Sequence, residues 1–322
     1  MQQEKILITG ANGQIGSVLT EALRQLHGAE AIIASDIRAE STPSNGPFIL
    51  LDILDLEGLK AAVQSHHITQ IYHLAAILSA KGEQQPQRTW DINMRGLFNV
   101  LEVARTQSIQ KLFFPSSIAV FGHNTPKAQT PQFAHCDPNT VYGISKLAGE
   151  QWCQYYWQRY QLDIRSLRYP GIISYQSLPG GGTTDYAVDI FHYAIRQERY
   201  SCFLAADTRL PMIYMPDAIR ATIQLMAAPA AQIQVRTSYN LASMNFTPAE
   251  IYQAIRKYLP DFEIEYQPDF RQQIADSWSQ SLDDQQAVSD WKWKAQYDLD
   301  AMTRDMLQKL TQQQGLTNPV LR

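Results

Sequence analysis

Long apolar runs are missing from this sequence. None of its 322 positions begins a stretch of about 18 apolar residues, which excludes a membrane-spanning helix. Cysteine is scarce. Cys136, Cys153 and Cys202 are odd in number, far apart and never spaced as C-x-x-C, which excludes a disulfide framework and points to a reducing compartment. There is no surplus of positive charge: 27 Lys and Arg against 31 Asp and Glu give a net charge of −4. Neither nucleic acid nor an anionic membrane is therefore expected as a partner. The seven histidines are scattered, and the adjacent His66 and His67 have no Cys, Asp or Glu at metal-ligand spacing, so no metal is expected. The first residues, M-Q-Q-E-K-I-L-I-T-G, lack the apolar core and cleavage site of a secretion signal. A cytoplasmic protein, mature from its first residue, is the expectation. What is present is ordinary for a soluble globular chain, with 45% hydrophobic and 18% charged residues and length for roughly two domains.

The first half alternates short apolar runs with helical stripes. Strands are expected at 5–9, 31–36, 48–51, 70–75, 111–116 and 163–169, and helices at 13–26, 56–63, 90–105 and 142–160. This alternation implies an α/β fold, a Rossmann-type doubly wound parallel sheet covered by helices on both faces. After Pro170 the rhythm changes. Gly180–Gly182 interrupts the chain and prolines recur, so a smaller C-terminal substrate lobe is expected over 171–322. The dinucleotide-binding domain then spans 1–170, with segments of about 213–242, such as S-Y-N-L-A at 238–242, returning to its sheet. The polar tail 312–322 reads as frayed.

The first strand runs into G-A-N-G-Q-I-G, with glycines at 10, 13 and 16. Gly10 suits a sharp turn barred to residues with a Cβ, Gly13 suits close approach of backbone to a pyrophosphate, and Gly16 suits packing of helix on strand. An anion there meets free N–H groups and the positive end of the helix dipole. Asp36 closes the second strand twenty residues after Gly16. Its carboxylate can accept both ribose hydroxyls and would repel a 2′-phosphate, which favours NAD over NADP; Arg38 nearby could accommodate that phosphate. A plain turn residue is the alternative for Asp36. Asp52, at the end of the third strand, either meets the adenine edge or caps the next helix.

Tyr142 and Lys146 are four residues apart at the start of a long helix, hence on one face. No other of the 16 tyrosines has a lysine at this spacing. Tyrosine titrates near pH 10, too high for a base at neutrality, and a neighbouring ammonium is expected to lower it. Ser116 and Ser117 end the fifth strand, at the sheet edge where ligands of such folds bind. Either hydroxyl could hold a substrate oxygen while Tyr142 takes its proton; turn-forming serines are the alternative.

Together with H-L-A-A at 73–76, P-S-S-I-A-V-F-G at 115–122, Y-G-I-S-K at 142–146 and W-K-W-K-A-Q-Y-D-L at 291–299, these strings resemble the extended short-chain dehydrogenase/reductase family, in its UDP-galactose-epimerase-like branch. The resemblance implies Ser117, Tyr142 and Lys146 as the catalytic group. It also implies that Leu74, Ala75, Ala76 and Ile172 line the NAD site, with Asn12, Gln14, Ile15, Ile53 and Asn93 further contacts. R-Y-P-G at 168–171 lacks the asparagine with which sugar-nucleotide enzymes of that branch usually meet a diphosphate. P-G-G-G-T-T-D-Y-A at 179–187, L-P-M-I-Y-M-P-D at 210–217, P-D-F-R-Q at 268–272 and I-A-D-S-W at 274–278 instead resemble the short-chain L-threonine 3-dehydrogenases as a group.

That second resemblance implies NAD-dependent oxidation of L-threonine at C3 to 2-amino-3-oxobutyrate. Ser79, Thr183 and Thr184 would hold the amino acid and Trp278 would close the site. The bland alternatives are a loop serine, a hinge and a core tryptophan. A sugar-nucleotide epimerase or dehydratase shares the cofactor site and the catalytic group, and a non-catalytic NAD sensor shares the fold alone. A homodimer is also expected. The helix 90–105 carries Met94, Leu97, Phe98 and Leu101 on one face with Val100 and Val103 off it, and the helix from Tyr142 is likewise apolar on more than one side.

Overall fold

Side chains of a strand alternate between its two faces, so a strand apolar at every position needs cover on both. The computed structural model, which describes residues 4–40, 45–176, 178 and 180–315, supplies that cover. Seven strands form one parallel sheet: β1 (Ile6–Thr9), β2 (Ile32–Asp36), β3 (Phe48–Leu50), β4 (Gln70–His73), β5 (Lys111–Ser117), β6 (Asp163–Tyr169) and, later in the chain, β10 (Tyr239–Asn240). Their spatial order is β10-β6-β5-β4-β1-β2-β3. Ile6 and Ile8 of β1 enter a core shared with α1 (Gln14–His27), α7 (Met215–Ala227) and α10 (Gln285–Trp291). Leu7 between them enters the core under α2 (Leu56–Ser65), α4 (Pro86–Thr106) and α5 (Val141–Tyr160). This is the expected doubly wound architecture.

Side chains set the helix starts. Asp55 accepts the Gly58 N–H at 3.0 Å to begin α2, and Thr140 accepts the Gly143 N–H at 3.0 Å to begin α5. Asp52 therefore does not cap α2; its carboxylate accepts the Leu54 N–H in the turn before. β4 ends at His73, two residues earlier than expected. Leu74 still donates to Thr9 at 3.0 Å, and then the chain swings past Gly10. Val100 and Val103, expected to need a second burial surface, are fully buried within the chain. They pack in the core beneath α4, because that helix is covered by sheet, α2 and α5 together.

At Pro170 the chain leaves the large sheet. β7 (Gly171–Ile173) joins β9 (Leu210–Tyr214) and β11 (Met244–Phe246) in a three-stranded sheet, and β8 (Tyr200–Cys202) pairs with β12 (Ile264–Tyr266). With α6 (Tyr186–Ile195), α8 (Pro248–Arg256), α9 (Arg271–Ser277) and α11 (Leu299–Gln313) these elements enclose a third core around Tyr186, Phe191, Tyr214, Phe246 and Met306. The short α3 (Ser79–Glu83) lies between β4 and α4. The polar tail begins as the end of α11, and its residues 316–322, like Pro179 at the head of the glycine string, lie outside the described residues.

Candidate active site

The glycine turn comes first. Gly10 has φ +75°, and a Cβ there would lie 2.7 Å from the Ala75 backbone nitrogen; at Gly16 a Cβ would lie 2.2 Å from the Gly10 oxygen. Both demand glycine, one for conformation and one for close packing. Gly13 precedes α1 with no side chain capping the helix. The first-turn backbone of α1 thus faces a cleft lined by Gly10, Gly13, Gln14, Ile15 and Gly16. The cleft encloses about 1040 Å³ with its open mouth counted.

At the end of β2 the Asp36 side chain is 8% exposed and accepts the N–H groups of Asn12 and Arg38, each at 3.1 Å. Asn12 also donates to the Arg38 carbonyl at 2.8 Å. The Arg38 guanidinium is 75% exposed, 3.8 Å from Asp36. Leu74, Ala76 and Ile172 line the cleft, whereas Ala75 backs Gly10 from behind. Ile53 is buried against Gly96. Asn93 clamps the backbone of Ile77, accepting its N–H at 2.8 Å and donating to its carbonyl at 3.1 Å, and it donates to Ser145 at 3.2 Å. Neither Ile53 nor Asn93 is among the residues that line the cleft.

Further along the cleft lie Ser117, Tyr142 and Lys146. Ser117 lines the cleft beside Tyr142, where its hydroxyl favours the charged phenolate, and it accepts the Ala119 N–H at 3.2 Å. The Lys146 Nζ donates to the Pro115 carbonyl at 2.7 Å and lies 5.5 Å from the centre of the Tyr142 ring. The expected lowering of the tyrosine pKa is not found in this geometry. Burial pushes Tyr142 up to about 12, against the pull of Ser117, and burial brings Lys146 down to about 8. The phenol therefore stands protonated, and desolvation is the largest cause of both shifts.

The two serines differ. Ser116 gives its hydroxyl to Glu150 at 2.5 Å, and the same carboxylate takes two bonds from Arg168 at 2.9 and 2.7 Å, all of them buried. Ser117 is the one that acts on the phenol. Ser79, Thr183, Thr184 and Trp278 line the same cleft. Two of these carry buried polar atoms without a partner, the Thr183 Oγ1 and the Trp278 Nε1. Asp185, which the sequence reading passed over although it follows Thr184, also lines the cleft and accepts the N–H groups of Gly181 and Gly182 at 2.8 and 2.6 Å. Tyr169 and Pro170 complete the floor; the only signal for them was their place at a strand end.

A parallel sheet with a glycine turn on the first helix, an acidic end to the second strand and a Ser, Tyr and Lys cluster at the fifth defines a dinucleotide-binding protein of the Rossmann class. Residues 6–242 match the model of the NAD dependent epimerase/dehydratase family. The chain belongs to that family, and its cofactor is NAD. Among solved structures it is similar to an L-threonine dehydrogenase from Cupriavidus necator in its holo form, with 54% identity and TM-score 0.94 over 95% of this chain and 99% of that one. It is also similar to a monomeric L-threonine 3-dehydrogenase from a metagenome, with 45% identity and TM-score 0.93 over 96% and 99%. A curated relative from Staphylococcus aureus (strain MRSA252), called an uncharacterized epimerase/dehydratase, is 45% identical over 98% of this chain and 99% of its own. No helix among the described residues is long and apolar enough to cross a membrane, and no group of three or more metal-ligating side chains occurs among them.

Proposed function

We propose that this protein oxidises L-threonine at C3 to 2-amino-3-oxobutyrate with NAD. The observation that carries this reading is the pair of unpartnered buried atoms, Thr183 Oγ1 and Trp278 Nε1, in the cleft that also holds Ser117 and Tyr142. Buried polar atoms left unpaired are costly, and a small polar substrate would satisfy them. The names of the two dehydrogenases above support it. Bound NAD supplies the acceptor for the hydride leaving C3. Its pyrophosphate would lie on the first turn of α1 and its adenosine ribose on Asp36, with Asp52 toward the adenine.

In this reading Ser117 holds the substrate hydroxyl, and the proton of that hydroxyl passes to Tyr142 Oη. Tyr142 must first lose its own proton to solvent through the open mouth of the cleft, and Lys146, held by the Pro115 carbonyl, is the cation that favours that release. Ser79, Thr183 and Thr184 bind the ammonium and carboxylate ends, Trp278 closes over them, and Ser116 holds Ser117 in place through Glu150. Residues 1–170 with 213–242 carry the dinucleotide, and the rest of 171–322 the substrate. The protein works in the cytoplasm. Two copies pair through α4 and α5, where Trp152, Tyr155 and Tyr160 are more than a third exposed in a cluster of aromatic rings with Phe98. Light scattering at the mass of one chain would overturn that pairing.

The test of the reaction compares NADH formation from L-threonine with epimerisation of UDP-galactose by the same preparation. Threonine-dependent NADH is expected. Epimerisation without it would restore the activity that the name of the staphylococcal relative suggests.

A further inference from the structure

Lys127 lies outside every motif read from the sequence. Its ammonium nonetheless meets four backbone carbonyls, those of Gly122 at 3.2 Å, Asp276 at 3.2 Å, Ser277 at 2.5 Å and Trp278 at 3.2 Å. Three of these belong to the end of α9, where helix carbonyls lack intrahelical partners and the dipole is negative. The fourth follows the turn Ile118–Val120 that leads away from Ser117. Gly122 is itself fixed: its N–H goes to Thr125 at 3.1 Å, and a Cβ would lie 1.9 Å from the Asp137 carbonyl. The lysine is only partly exposed, and desolvation by burial lowers its pKa below the usual lysine value.

The neighbouring backbone reinforces the junction. Gln280 donates to the Lys127 carbonyl at 2.8 Å, and Thr130 donates from its backbone to Ser281 at 2.9 Å. The side chain of Thr130 bonds that of Ser279 at 2.7 Å. Trp278 is the residue just before this stitched stretch. It is buried, and its Nε1 is one of the two unpartnered atoms of the cleft.

We propose that Lys127 is a positioning residue for the substrate: its ammonium pins the end of α9 to the segment following Ser117, which fixes Trp278 as the wall that receives the non-reacting end of the substrate. The proposal rests on the dehydrogenase reading given above. Ile274 and Ala275 keep α9 in the core without the lysine, so its removal loosens the end of the helix and leaves the fold standing.

The test uses the full-length chain with Lys127→Met and Lys127→Arg. In Lys127→Met the KM for L-threonine should rise roughly tenfold, the scale of one lost substrate contact. The KM for NAD should stay within about twofold and kcat should change less than the threonine KM. Lys127→Arg, which keeps a cation, should recover part of the loss, and propylammonium should partly restore Lys127→Ala. Hydrogen exchange, read without substrate, should quicken in peptides covering 271–283 of Lys127→Met and stay unchanged in β1 and β2. Equal rises in both KM values would overturn the proposal, as would unchanged exchange in 271–283. If the unmodified protein makes no NADH from threonine, the dehydrogenase reading fails, and the exchange result still decides whether Lys127 holds α9.

Discussion

Replacing Lys146 by methionine makes the burial of one ammonium measurable. Lys146 is 5% exposed; its nearest partners are the Pro115 carbonyl at 2.7 Å and the ring of Phe114, centred 4.8 Å away. Its pKa falls from 10.5 to about 8, chiefly by desolvation. Below pH 8 the amine is charged in both folded and unfolded states, and the folded state bears the full cost of burying that charge. Between pH 8 and 10.5 the folded state has released the proton while the unfolded chain still holds it. The unfolded state then binds more protons, so the stability of the native protein rises with pH through this window. At about 1.4 kcal/mol per pH unit the gain is on the order of 3 kcal/mol. Methionine keeps an unbranched stem and has no proton to release. The stability of the native protein relative to Lys146→Met should therefore improve by that amount between pH 7 and 10.5, the other titrating groups being common to both. Urea denaturation followed by tryptophan fluorescence at constant ionic strength, without added NAD, gives the difference at each pH. A difference that stays flat across the window would refute the placement of Lys146 as a desolvated cation.

Tyr142→Phe keeps the ring and removes the phenol, and kcat should fall by roughly 10²–10⁴; near-normal turnover in a steady-state NADH assay would rule out Tyr142 as the proton acceptor. NAD should exceed NADP in kcat/KM if, as proposed, the Asp36 carboxylate, which two N–H groups hold at the end of β2, meets the ribose, and Asp36→Ala should narrow the ratio, with the exposed Arg38 then able to meet a 2′-phosphate. Thr183→Ala should raise the KM for threonine roughly tenfold with that for NAD unchanged, because it deletes an unpartnered buried hydroxyl in the cleft; parallel changes in both constants would place Thr183 outside the substrate site. L-Serine, lacking the methyl group, should be about 10–200-fold poorer than L-threonine in kcat/KM.

The sheet was legible because burial on both faces writes itself into sequence as unbroken apolar runs, as at Ile6–Ile8 and Ile32–Ala34. β6 matches its expected bounds residue for residue, since Leu162 and Pro170 flank it on a regular pattern. The end of β4 was not legible, because what stops it is the passage of Gly10 beside Ala75, a contact between residues 65 apart in sequence. In the site, the motifs at 10–16 and 142–146 located the residues that gather in one cleft. They did not reveal that Ser116 is engaged elsewhere, because that depends on Glu150, which Arg168 also binds. Nor did they give the direction of the Tyr142 shift. The spacing shows that a lysine is near, but the cost of burying both groups is a property of the packed structure. Asp185 and Lys127 were missed for a common reason: each acts on backbone groups, which no side-chain motif displays.

The chain does not finish one sheet before starting the next. It passes from β6 to β7 at Pro170, returns with α7 to the face of the large sheet, adds β10 to that sheet's edge, and leaves again for β11. Each part is thus laced to the other by several separate strands of backbone. A cut near residue 170 would take away β10, which pairs with β6, and α7, which packs on β6 and α1, leaving exposed edge and bare apolar surface. Such a molecule cannot be divided into two modules that fold alone, and its floor, Tyr169 to Ile172, is the seam where both halves must already have formed before a ligand has a place to bind.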